Sequence, residues 1–268
     1  MPTLDVNGIG LYYEIAGPGE PLLFLHGLGS CSQDWEFQAA EFSKDYRVIS
    51  IDLRGHGQSA RPRGPYSIPM LAADAAGLLR ALGVEAAHVV GLSLGGAVAF
   101  QLAVSFPSTV KSLVIVNSAP DAKVRTVRQR LMVATRLAMV RLLGLRRVGA
   151  ALSKKLFPGP GLAGVRATFM ERFVRNDRDS YLAALRDLFG WSVSSQIGSI
   201  TCPTLVIAAD NDYTPVATKE ACVARISGAK LEVIPNSRHA LPVEKPQCFN
   251  AVLRSFLEEQ SARAASLR

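Results

Sequence analysis

Cysteine is scarce in this chain. Cys31, Cys202, Cys222 and Cys248 are the only four, and no two form a CxxC pair. A disulfide framework or zinc knuckle needs paired spacing, so four reduced thiols in a cytoplasmic protein are expected instead. Long apolar runs are missing too: none approaches the roughly 18 uninterrupted residues of a membrane helix, so no stable membrane insertion is expected. The opening "MPTLDVNGIG" has neither a basic n-region nor an apolar h-region, so no secretory signal is read there. Neither GxGxxG nor GxxxxGK[ST] occurs, and no pair of metal ligands stands at helical spacing. The expectation is therefore no cofactor and no metal. Histidine is limited to His26, His56, His88 and His239, which leaves few candidates for proton transfer.

What is abundant is apolar residue and, locally, positive charge. Hydrophobic residues make up 49% of the 268 and charged ones 19%, the composition of a well-filled globular core. The net charge of +8 is unevenly placed: residues 121–200 carry 15 Lys and Arg against 5 Asp and Glu, while the remainder carries 15 against 17. No zinc finger, RNP-type aromatic motif or helix-turn-helix signature accompanies the basic stretch, so nucleic acid is not an expected partner.

The pattern along the chain alternates strand and helix. "LDVNGIGLYYEI" reads as a hairpin turning at Asn7-Gly8. "PLLFLHG", "RVISIDLRGHG", "AAHVVG", "VKSLVIVNSA", "PTLVIAADND" and "AKLEVIP" follow as strands, most of them wholly apolar. Between them lie helical spacings, including Pro65 to Leu82, Leu94 to Ser105 and Pro246 to Gln260. Continuous apolar strands alternating with helices predict a mostly parallel sheet covered on both faces. From Asp121 to Ile200 the strand signal gives way to basic helical pattern. Residues 121–200 are thus expected to be a helical insertion into a core formed by 1–120 and 201–268. Within it Val124, Val127, Leu131, Ala134, Ala138, Leu142 and Leu145 share one helix face with arginines on the other, and the leucines with Met132 and Met139 are expected to pack down on the core.

"GLSLG", Gly91 to Gly95, fits G-x-S-x-G, a serine on a sharp strand-to-helix turn flanked by glycines. Such a turn exposes Ser93 as a nucleophile, and the N-terminus of the following helix favours an oxyanion beside it. A serine needs a base, and His239 in "NSRHALPVEKP" follows the last strand, where the chain order serine, acid, histidine puts it. His88 opens the strand leading to Ser93 and so lies at its far end, in a structural position. For the acid, "VIAADNDYTP" offers both Asp210 and Asp212, with Asp121 a more distant choice. The glycine-lined "LHGLGS" supplies backbone donors, so the Leu28 and Leu94 N–H groups are the expected oxyanion hole. His26 there, and Asp52, Arg54 and His56 in "DLRGHGQS", are read as loop ties. Trp35, Trp191 and Tyr213 are candidate pocket aromatics, core packing being an equal account of the tryptophans.

Taken together, "HGLGS", "DLRGHGQS", "GLSLGG", "VIAADNDYTP" and "RHALPVEKPQCFN" resemble the α/β-hydrolase superfamily across essentially the whole core. The enol-lactonase, arylesterase and cofactor-free haloperoxidase group is the nearest in flavour. The resemblance implies the α/β-hydrolase fold: an eight-stranded, mostly parallel sheet flanked by helices, with a helical cap inserted after the sixth strand. It also implies Ser93 as nucleophile, Asp212 as acid and His239 as base. Epoxide hydrolases and haloalkane dehalogenases of this superfamily carry an aspartate where Ser93 stands. Serine forms an acyl-enzyme instead, so a carboxylic ester or lactone is the expected substrate. The basic cap leaves three readings open: arginines that bind an anionic substrate, a helix that docks on anionic membrane and draws in long-chain acyl groups, or arginines that only face solvent. A C–C bond hydrolase and a small-molecule binding protein are the competing readings, and a second copy of the chain is the one protein partner considered.

Overall fold

Strands that are apolar on both sides of the pleat have to be covered on both sides. In the computed structural model, which describes residues 2–266, they are. Met1, Leu267 and Arg268 fall outside it, so the expected core segments are followed over 2–120 and 201–266. The strands are β1 (Thr3–Val6), β2 (Ile9–Ala16), β3 (Glu20–Leu25), β4 (Tyr46–Ile51), β5 (Ala87–Leu92), β6 (Val110–Val116), β7 (Thr204–Ala209) and β8 (Lys230–Ile234). They form one eight-stranded sheet in the order β1-β2-β4-β3-β5-β6-β7-β8. The β1–β2 and β2–β4 pairs are antiparallel and every later pair is parallel. The opening hairpin turns at Asn7 (φ 53°) and Gly8 (φ 74°), the left-handed pair that its two-residue loop demands.

Alternate residues of each strand enter opposite layers. Leu23, Leu25, Val89 and Ile115 meet Leu71 and Leu78 of α2 (Ile68–Ala81) and Phe100 of α3 (Leu94–Ser105). Leu22, Phe24, Val90 and Val114 meet Phe42 of α1 (Glu36–Phe42) and Phe249 and Leu253 of α9 (Pro246–Ser266). Each fully buried side chain of this size contributes about 1.5–3 kcal/mol relative to exposure. Helix α2 begins at Ile68 rather than Pro65, because the Ser67 hydroxyl accepts the Met70 N–H and caps it there.

Because β3 and β5 to β8 run parallel, their carboxyl ends share one edge of the sheet. The chain leaves that edge after β6 and returns for β7. Between them lie α4 (Val127–Leu156), α5 (Ala163–Val174) and α6 (Arg178–Leu188). Two backbone bonds pin the neck of this excursion: Ala122 N–H to Trp191 carbonyl (3.0 Å) and Val193 N–H to Pro120 carbonyl (2.9 Å). A capping box between Thr126 and Gln129 starts α4, and Gly144 (φ 71°, ψ 171°) kinks it into two helical parts. No helix among the described residues is long and apolar enough to cross a membrane. Two short helices, α7 (Val216–Val223) and α8 (Leu241–Glu244), complete the chain.

Three expectations are corrected here. Trp35 is not a pocket aromatic: it is 1% exposed and packs on Phe24 (ring centroids 4.7 Å) and Phe249 (6.2 Å) in the core. Trp191 is likewise buried, its Nε1–H donating to Gln101 Oε1 of α3 at 2.8 Å. Among the described leucines on the apolar face of α4, only Leu145 packs down. Val127 is 81%, Leu131 66% and Leu142 82% exposed, and Met132 and Met139 also remain open, while the buried positions are Val140, Leu145 and Val148. The helix turns its inward side by what it meets there, namely Phe173, Tyr181, Leu182 and Leu185 of α5 and α6.

Candidate active site

Ser93 stands between β5 and α3 with φ 54° and ψ −111°, a conformation that costs a serine about 1–3 kcal/mol. The surroundings enforce it. A Cβ at Gly91 would lie 2.3 Å from the Gly95 carbonyl oxygen, and one at Gly95 would lie 2.1 Å from that of Leu25. Only glycine at both positions lets the turn close this tightly. The turn is then held by hydrogen bonds, Ser93 N–H to the Val116 carbonyl (3.0 Å) and Ser118 Oγ–H to the Ser93 carbonyl (2.7 Å). Leu94 is the first residue of α3, where a backbone N–H has no acceptor within its own helix. From the other side comes the β3 exit: a Cβ on Gly27 would lie 3.7 Å from Ser93 Cβ, which sets Leu28 beside the serine.

His239, in the loop after β8, bonds through Nδ1 to Asp212 Oδ1 at 2.7 Å. A carboxylate acceptor there puts the ring hydrogen on Nδ1 and leaves the Nε2 lone pair free. Burial pulls the imidazole below its ordinary pKa. Asp212 opposes that, and the charges of Lys219 and Arg136 reinforce it. Burial acts to raise the Asp212 carboxyl, but its bonds to His239 and Lys219 outweigh that and hold it below the usual range. Asp212 also accepts the Tyr213 N–H at 2.8 Å. The Tyr213 ring stacks on His239 with centroids 3.9 Å apart. About half of Tyr213 is open (52%), and it lines the cavity, yet burial, with the Asp212 charge, still raises its phenol. The Ser93 hydroxyl draws that phenol the other way.

Ser93 and His239 both face a cavity of about 740 Å³ between the sheet edge and the inserted helices. Gly27 and Leu28 line it from below, and Arg136, Leu152, Phe169 and Leu185 from the insertion. Among the described residues no hydrogen bond joins Ser93 to His239.

The α/β hydrolase fold family matches residues 20–132. A protein of Caulobacter sp. (strain K31) named as a carbamate hydrolase, RutD, is 30% identical over 94% of this chain and 97% of its own. The 3-oxoadipate enol-lactonase 2 of Acinetobacter baylyi is 30% identical over 96% of each chain. This chain belongs to the α/β-hydrolase family. The crystal structure of the enol-lactonase from Burkholderia xenovorans LB400 superposes with a TM-score of 0.89 at 26% identity, covering 96% of this chain and 100% of that one.

In this α/β hydrolase the remaining candidates fall into place by their partners. Asp210 is exposed and accepts the Asn236 and Ser237 N–H groups (2.9 and 3.0 Å), tying the β7 loop to the loop that carries His239. Asp121 pairs with Arg125 at 2.7 Å in the cavity wall. His88 bridges Ser112 and Glu20 at the far end of β5. His26 Nε2 accepts the Leu53 N–H at 2.9 Å, and burial pushes its pKa down to about 4. Asp52 accepts the Ser32 and Gln58 N–H groups, and Arg54 holds Asp74 of α2 through two bonds of 2.6 and 2.8 Å.

Two residues escaped the sequence reading. Lys219 of α7 is fully buried, and its Nζ donates to Asp212 Oδ2 at 2.6 Å and to the Thr214 carbonyl. Its spacing of three from buried Cys222 was the available signal, since it puts both on one helix face. Asn117, at φ 45° after β6, accepts the Ala209 N–H (2.8 Å) and donates to the His239 carbonyl (3.0 Å). An asparagine in the left-handed region directly after a strand was its local mark.

Proposed function

We propose that this hydrolase cleaves carboxylic esters or lactones through an acyl-enzyme on Ser93. The observation that carries the reading is the 2.7 Å bond from Asp212 to His239, which faces a cavity shared with a serine on a strained, glycine-flanked turn. His239 Nε2 takes the hydroxyl proton as Ser93 Oγ attacks the carbonyl carbon. The Leu28 and Leu94 N–H groups receive the oxyanion, a contribution of roughly 3–4 kcal/mol per donor. Collapse expels the alkoxide, which His239 protonates. In a lactone that alkoxide stays tethered to the acyl group. Water, deprotonated by His239, then attacks the acyl-enzyme and releases the acid and Ser93. Asp212 holds the imidazole in the working tautomer and stabilises the cation formed in each half. Lys219 and Asn117 act as positioning residues, one on Asp212 and the other on the His239 backbone.

Helices α4 to α6 serve as the cap over the site in this reading, and Tyr213 is the pocket aromatic. The four unpaired cysteines fit a reducing, cytoplasmic setting. A fluorophosphonate probe is expected to label the wild type and not Ser93→Ala. A panel of p-nitrophenyl esters, lactones and one aryl carbamate then sorts the leaving groups. Undiminished turnover by Ser93→Ala would falsify the proposal.

A further inference from the structure

The cavity wall is charged unevenly. Its carboxylates Asp34, Glu36 and Asp121 are taken up by Arg172 (2.9 and 3.0 Å) and Arg125 (2.7 Å). Arg136 and Lys155 line the same cavity and pair with no carboxylate among the described residues. Arg136 Nη2 donates to the Tyr181 hydroxyl at 2.7 Å, which aims the guanidinium, while its Nε is buried with no acceptor among the described residues. Lys155 Nζ lies 5.4 Å from the centroid of Tyr213, the ring stacked on His239. A guanidinium that lines a cavity with no carboxylate to pair with has charged donors to offer an anion that enters there.

We propose that Arg136, aimed by Tyr181 and flanked by Lys155, is the receptor for a carboxylate carried by the substrate. The natural substrate is then a half-ester of a dicarboxylic acid or a lactone with a free carboxylate. This rests on the hydrolase reading for its chemistry but not for its binding. The anion would also offset the positive charges acting on His239 and so strengthen the base when the correct substrate is bound.

The test compares kcat/KM for neutral p-nitrophenyl butyrate with mono-p-nitrophenyl glutarate and 4-carboxyphenyl butyrate. One carboxylate ester should be preferred by about 10- to 100-fold, the range of a charged hydrogen bond. Arg136→Gln should erase that ratio and Arg136→Lys should keep part of it. The ratio is taken within each variant, so loss of folded protein cancels. Adipate binding is measured separately by calorimetry on Ser93→Ala, with and without Arg136→Gln. Equal rates for charged and neutral esters, with adipate binding indifferent to Arg136, overturn the inference. Arg136-dependent adipate binding by a protein that cleaves no ester supports the subsite and sinks the hydrolase reading instead.

A separate observation concerns the outer face of α4. Val127, Leu131 and Leu142 form an exposed ridge, edged at helical spacing by Arg128 on one side and Arg130 and Arg141 on the other. No Asp or Glu occurs between Ala122 and Met170, against eleven Lys and Arg. A second copy meeting this ridge face to face would bring like charge against like. The geometry points to an anionic lipid surface as its occupant. Co-sedimentation with vesicles of phosphatidylcholine and phosphatidylglycerol (about three to one, to supply the anionic charge) should retain the protein. Pure phosphatidylcholine or high salt should release it, and Leu131→Gln with Leu142→Gln should weaken it several-fold. Equal retention on both vesicles, no retention on either, or self-association abolished by those substitutions overturns the assignment.

Discussion

Asp212, below the cavity, accepts three hydrogen bonds, whereas Arg136, in its wall, leaves a buried Nε with no acceptor among the described residues. The contrast extends to the regions around them. The loops at the sheet edge are short and tied at every turn: Asn117 to His239, Asp210 to Ser237, His26 to Leu53, Asp52 to Ser32. The inserted helices carry inward two cations, Arg136 and Lys155, that pair with no carboxylate among the described residues, and uncovered leucines outward. A satisfied floor keeps one geometry, which is what holding the imidazole of His239 in one orientation, 2.7 Å from Asp212, demands. An unsatisfied wall is completed by whatever enters or docks, so it is the part suited to choosing a partner.

The largest expected effect tests the floor alone. Asp212→Asn should cut kcat roughly 10⁴-fold by releasing the imidazole into the wrong tautomer. Asp210→Asn, which only loosens a loop tie, should leave kcat within about tenfold; steady-state kinetics on one ester decides, and equal losses would break the contrast. Next come losses of stability. Trp35→Ala should cost about 3–5 kcal/mol in chemical unfolding, since Trp35 fills the core. An unchanged midpoint would return it to the pocket. Lys219→Met should cost a similar amount, about 3–5 kcal/mol, by breaking a fully buried ion pair. It also has a signature that packing alone would not move. Lys219 helps depress the His239 pKa, and in the proposed mechanism it is neutral His239 that acts as base. The acid limb of kcat/KM should therefore lie below the ordinary histidine value of 6.5 in the wild type and move up in the variant. A limb that stays put would separate Lys219 from the site. The smallest effect belongs to the outer wall: Leu142→Gln should change stability by less than about 0.5 kcal/mol, because 82% of Leu142 is already in water.

Much of the architecture was legible because its causes are local. Strand after helix, the Asn7-Gly8 turn and the glycines around Ser93 follow from apolar runs and from φ values that few residues adopt. The position of His239 after the last strand could likewise be read from chain order. Asp210 and Asp212 could not be separated by their neighbours alone, since they stand two residues apart in the same loop. What separates them is which carboxylate meets His239 27 residues later and which meets the Asn236 and Ser237 amides.

Helical spacing determined that Val127, Leu131, Ala138 and Leu142 share a face, and composition determined that residues 121–200 are basic. Tertiary structure alone decided that most of this face looks outward, that Trp35 and Trp191 belong to the core, that Lys219 is buried and that Arg136 reaches the cavity. Periodicity reports the angle between side chains around a helix axis. It says nothing of which angle meets a neighbour, and burial is a property of two surfaces that come together from distant parts of the chain.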